Sequence, residues 1–95
     1  MRIEFDAAKN EANLAKHGID MASATQFDFD TAMVTSDARK SYGEARNIAV
    51  GYIGGRLHVL IFTKRGDVVR VISLRKANRR EERTYYGKTQ EAGPH

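Results

Sequence analysis

The strongest constraint on the fold is a block of alternating apolar and polar residues between positions 45 and 75, interrupted twice by turn residues. Ala45 to Ile53 alternates, Gly54 and Gly55 supply a hairpin turn, and Arg56 to Thr63 returns the chain; Arg65, Gly66 and Asp67 form the next turn, and Val68 to Arg75 completes a meander. On the middle strand Leu57, Val59 and Ile61 point one way, while His58, Leu60 and Phe62 point the other. Apolar residues on both faces predict a central strand, with helices over one side of the sheet. A weaker strand at Ala32 to Ser36 precedes the meander, and Arg2 to Phe5 reads as a short N-terminal strand.

Helix signals flank this block. Asp6 is an N-cap for a helix running to about His17, with Gly18 placed to end it in the left-handed conformation. That helix is nearly all alanine on its apolar side, so it can approach a sheet closely but contributes little area. Asp20 repeats the cap signal for a second short helix ending near Phe27 or Phe29, and these two rings read as core. After the meander, Asn78 with Glu81 three residues on forms a capping box, opening a helix that runs to about Tyr86 with Gly87 as its stop. Residues 88–95 show no periodicity and read as a disordered tail, leaving one domain over residues 1–87. The predicted architecture is α+β: a small antiparallel sheet, with a meander of three to four strands plus a short N-terminal strand, two N-terminal helices and one C-terminal helix.

At 95 residues the chain has room for one thin core and no second module. It contains no cysteine, which excludes disulfides, thiolate metal sites and cysteine nucleophiles. His17, His58 and His95 do not stand at metal-site spacing from one another, so neither metal nor other cofactor is expected. The longest apolar run is Val59 to Phe62, far short of the roughly 18 residues of a membrane span. A soluble, cytoplasmic protein without membrane contact is the expectation.

Charge is unevenly distributed. Met1 to Thr63 carries seven Lys or Arg against eight Asp or Glu, whereas Lys64 to Arg83 carries eight basic residues against three acidic ones. Basicity gathered into one stretch is the footprint of a polyanion or an acidic protein partner.

Within that stretch, Arg79 and Arg80 break a local rule, because they occupy the positive end of a helix dipole, where each cation is disfavoured by roughly 0.3–1 kcal/mol. Arg75 adds a third guanidinium at the end of the preceding strand. Converging guanidiniums at a helix N-terminus can seat a phosphate; equally, Glu81 and Glu82 can pair with neighbouring arginines on a solvated helix. Were the anion the scissile phosphate of RNA, the arginines would stabilise its charge, and His17, Glu44, Tyr85 and Tyr86 would be the groups available for proton transfer. His17 can instead complement the helix C-terminus, and Glu44 can join Arg39 and Arg46 in a surface ion network. His58, alternating with core residues, reads as packed.

The order of these residues resembles the BrnT family of type II toxins over roughly Met1 to Tyr86. The resemblance rests on Lys9, Asn10, Asn13, Lys16, His17 and Gly18; on Asp37, Arg39, Gly43, Glu44 and Arg46; and on Arg70, Ile72, Ser73, Arg75, Ala77, Arg79, Glu82 and Tyr85 or Tyr86. The segment Phe27 to Thr31 departs from it in lacking a proline often found there.

The resemblance implies a RelE-like fold, metal-independent endoribonuclease activity that inhibits translation and growth, and neutralisation by a BrnA-like ribbon-helix-helix antitoxin. Operator DNA would be reached only through that antitoxin. In this reading Arg75 and Arg79 bind the scissile phosphate, His17 or Glu44 transfers protons, and Tyr85 stacks a base or donates a hydrogen bond. Arg39 and Arg46 position the RNA, with Lys16, Arg70, Arg80 and Arg83 as further contacts. Two rival readings use the same residues: a non-enzymatic basic binding module, and an inactive toxin serving as co-repressor with its antitoxin.

Overall fold

The computed structural model describes residues 2–37 and 45–92. Five strands form one sheet in the order β1-β5-β4-β3-β2, where β1 is Arg2–Glu4, β2 Met33–Asp37, β3 Arg46–Ile53, β4 Arg56–Arg65 and β5 Val68–Lys76. Strands β2 to β5 are antiparallel neighbours, and β1 joins parallel to β5. The α+β architecture and central β4 agree with the expectation from the sequence.

Helix α1 (Ala7–His17) starts and stops as its caps dictate: the Asp6 carboxylate accepts from Lys9 N at 3.1 Å, and Gly18 takes φ 71°. The second helical segment is a 3-10 turn, Met21–Gln26, capped by Asp20. Phe27 is buried behind it and Phe29 packs alongside, edge-on to Phe27 and Phe62. Gly51 permits this approach, because a Cβ there would lie 2.8 Å from the Phe27 ring and 2.9 Å from Ala32 Cβ.

Helix α1 contributes less to the core by apolar area than by hydrogen bonding. Beyond β1, the outer edge of β5 would expose unpaired backbone groups. The buried Asn13 side chain meets that edge as a strand would: its Nδ2 donates to Leu74 O at 2.8 Å and its Oδ1 accepts from Leu74 N at 3.2 Å. Nδ2 also donates to Ile19 O, while Asn10 accepts from Met21 N, which fixes the 3-10 turn against α1.

The expectation of helices over one side only is corrected. Helix α1 and the 3-10 turn cover Leu60, Phe62, Val69, Val71 and Leu74, whereas α2 (Arg79–Ala92) lies over Leu57 and Val59 on the opposite face through Tyr85. The alternation in β4 leaves both faces apolar, and each needs its own cover. A second correction concerns the end of α2. The helix continues through Gly87 to Ala92, so residues 88–92 are helical and do not belong to a disordered tail. A single glycine costs a helix only about 1 kcal/mol, and the first residue unable to continue it is Pro94. Residues 93–95 lie outside the described residues.

Candidate functional site

A bulge in β5 decides where the basic residues point. Ile61 pairs with Ser73 but Phe62 pairs with Val71, so Ile72 is an extra residue in the ladder. Without it, Arg75 would share the face of Val69 and Val71 and be driven into the core under α1. With it, Leu74 takes the core position, and Arg75 stands opposite Val59 on the α2 face.

On that face α2 crosses only one half of the sheet. Leu57 and Val59 are buried beneath it, while Ile48 and Ile61 remain half-buried. The register puts Arg46, opposite Asp37, and Arg70, opposite Thr63, on this same face. Arg70 pairs with Glu4 at 3.4 Å and lies about 15 Å along β5 from Arg75.

Arg75 is held firmly. Its Nη1 donates to Glu81 Oε1 at 2.8 Å and its Nη2 to Glu81 Oε2 at 2.7 Å, an end-on bidentate pair. Glu81 also completes the capping box: its Oε1 accepts from Asn78 N at 2.9 Å, and Asn78 Oδ1 accepts from Glu81 N at 2.8 Å. The Arg75 hydrogen bonds and the Asn78 amide hold the Glu81 carboxyl below the ordinary carboxylate value, and the same contact raises Arg75. One further Nη1 bond, to Lys76 O, completes the contacts of Arg75. Its Nε–H and second Nη2–H carry no partner among the described residues, and these two donors form a side-on fork of the kind that binds phosphate.

Around the free edge of β5, Lys9, Asn13, Lys16 and His17 of α1 line a groove of about 220 Å³ with Ile72 and Ser73. His17 is partly buried there. That burial, with the positive charges of Lys16 and Arg75, lowers its imidazole below the ordinary histidine value and favours the neutral form. A carboxylate thus touches Arg75, and the His17 imidazole senses its charge.

The remaining expected residues are distributed as follows. Arg79, Arg80 and Arg83 are exposed on the first turns of α2 without ion pairs among the described residues. Arg39 and Glu44 lie outside the described residues. Tyr85 is corrected as a stacking candidate: it is buried, its hydroxyl donates to Thr31 O at 2.9 Å, and its ring meets Tyr52 and Tyr86 edge-on. Among the described tyrosines the exposed one is Tyr86, whose hydroxyl lies 2.7 Å from that of Tyr52. This contact is the main cause of a Tyr52 hydroxyl pushed up to about 12. His58 is buried with Nδ1 donating to Arg56 O. Glu81 was visible in the sequence only as a cap and as one possible ion-pair partner. Among the described residues no three His, Asp or Glu side chains converge as metal ligands, and no helix is long and apolar enough to cross a membrane.

The profile of the family described as "Ribonuclease toxin, BrnT, of type II toxin-antitoxin system" matches residues 5–81. The chain belongs to the BrnT family. Among solved structures, the ribonuclease toxin BrnT of Brucella abortus superposes with a TM-score of 0.65 at 31% identity, over 83% of this chain and 99% of that one. No curated protein gives a significant match. Membership makes this a ribonuclease toxin of a type II toxin-antitoxin system, whose partner is a cognate antitoxin. The matched residues include Arg75 and Glu81 and stop within the first turn of α2.

Proposed function

We propose that the chain is a metal-independent endoribonuclease that acts in the cytoplasm, cleaving RNA to inhibit translation and growth. The observation that carries this reading is Arg75: a guanidinium fixed end-on by Glu81, with a side-on fork unpartnered among the described residues, on the same sheet face as Arg46 and Arg70. Arg75 and Arg79 bind the scissile phosphate, where an aimed donor contributes roughly 2.7–4 kcal/mol to the transition state. Arg39, Arg46, Arg70, Arg80, Arg83 and Lys16 lie along the RNA, and His17 or Glu44 moves protons. A BrnA-like ribbon-helix-helix antitoxin neutralises the activity, and operator DNA is reached through it.

The test is incubation of purified protein with a defined RNA in excess EDTA. The expected products carry a 2′,3′-cyclic phosphate and a 5′-hydroxyl, the signature of attack by the neighbouring 2′-oxygen. Cleavage that appears only when a divalent cation is restored contradicts the metal-independent mechanism. No cleavage from folded protein under either condition favours the binding-module reading.

A further inference from the structure

We propose that Glu81 is the group that takes the proton from the attacking 2′-hydroxyl. This inference rests on the ribonuclease reading and deepens it. Glu81 binds Arg75 end-on through Nη1 and Nη2, so a phosphate seated on the free Nε and Nη2 donors shares Nη2 with Glu81 Oε2. The carboxylate oxygen then borders the bound phosphate, where the neighbouring 2′-hydroxyl arrives. Oε1 already accepts from Arg75 and from Asn78 N, whereas Oε2 accepts from Arg75 alone among the described residues, and the Glu81 side chain keeps 25% of its surface exposed.

His17 lies towards the α1 groove, and the charge it senses is that of Arg75 and Lys16. An in-line displacement requires a base at the 2′-hydroxyl and an acid at the leaving 5′-oxygen. The step balances. The 2′-O–H bond breaks and its proton passes to Glu81; the 2′-oxygen bonds to phosphorus; the bond from phosphorus to the 5′-oxygen breaks; and that oxygen takes a proton from the His17 imidazolium, the minor form of this histidine at neutral pH. No oxidant, metal or other reactant is consumed.

Glu81 also caps α2, so the variants must separate the two roles. Glu81→Gln preserves the cap, since Gln serves the capping box as Glu does, but cannot accept the proton. It is expected to lower the cleavage rate about 10²- to 10⁴-fold, while binding an oligonucleotide with a 2′-deoxy sugar at the cleaved position within a few-fold of the parent. Glu81→Asp keeps a carboxylate on a shorter stem and weakens the cap, so it should cleave faster than Glu81→Gln. A purely structural role predicts the reverse order, and that order would overturn the proposal. So would Glu81→Gln cleaving at the parental rate, or losing deoxy-oligonucleotide binding in step with cleavage. Parental cleavage that is lost in Arg75→Ala but unchanged in Glu81→Gln removes this proposal alone; no cleavage by the parent removes the ribonuclease reading and this proposal with it.

Discussion

The face of the sheet beneath α1 and the 3-10 turn is closed by a continuous apolar cluster and stapled by Asn10 and Asn13, whereas the face beneath α2 is half covered and bordered by arginines. On the first face the buried Asn13 makes its hydrogen bonds within the protein. On the second, Arg79, Arg80 and Arg83 are exposed, and two Arg75 donors have no partner among the described residues. A domain of 95 residues has few apolar contacts to spare. This one buries the larger share on one face and leaves room for charge beside the smaller cluster on the other. The bulge at Ile72 is the device that permits the division, since it moves Arg75 from the packed face to the open one.

If the two faces divide stability from chemistry in this way, the largest loss of stability should come from the stapled one. Asn13→Ala removes three hydrogen bonds and leaves Leu74 N and O unpaired at the buried edge of β5. A loss of about 3 kcal/mol is expected, read as a fall in Tm of at least about 10 °C. A fall no larger than that from an exposed substitution would show that α1 is not a staple.

On the opposite face a smaller effect is expected. Tyr85→Phe keeps the ring over Leu57 and Val59 and removes the bond to Thr31 O. It should cost about 1 kcal/mol, with cleavage at close to the parental rate. A large loss of cleavage with little loss of stability would restore Tyr85 to the chemistry.

The smallest effect is a pH dependence. Glu81 ionises below its ordinary 4.5, chiefly through its hydrogen bonds to Arg75. Its contribution to stability is therefore complete above about pH 4.5 and is lost as pH falls through the folded value. Asp6 and Asp20, lowered by their own cap hydrogen bonds, add a background common to parent and variant. Thermal unfolding of Glu81→Gln between pH 3 and 6 should show a shallower decline than the parent; an equal decline would mean that the Arg75–Glu81 pair is not linked to folding.

The parts of this structure that were legible in the sequence are local. Asp6 and Gly18 bound α1, Gly54 and Gly66 turn the hairpins, and Asn78 with Glu81 opens α2, because each signal acts within a few residues. What was not legible depends on distant partners. Asn13 reads as an ordinary helix residue until Leu74, 61 positions away, is beside it. The choice of face for α2 rests on Tyr85 reaching Thr31, 54 positions away, and parallel pairing of β1 with β5 leaves no periodicity of its own. In the site, charge clustering marked Arg75, but strict alternation does not foretell the extra residue in β5 that aims it. Glu81 carried an evident cap signal, and this local role obscured its second one.

The central claim is that Arg75 belongs to the chemistry and not to the scaffold. The direct measurement is the rate of RNA cleavage in excess EDTA by the parent and by Arg75→Ala, with Tm recorded for both. The account predicts a loss of at least about 10²-fold in rate, with a fall in Tm of no more than about 8 °C. Arg75→Ala that cleaves at the parental rate, or that loses activity only because it unfolds, would contradict it.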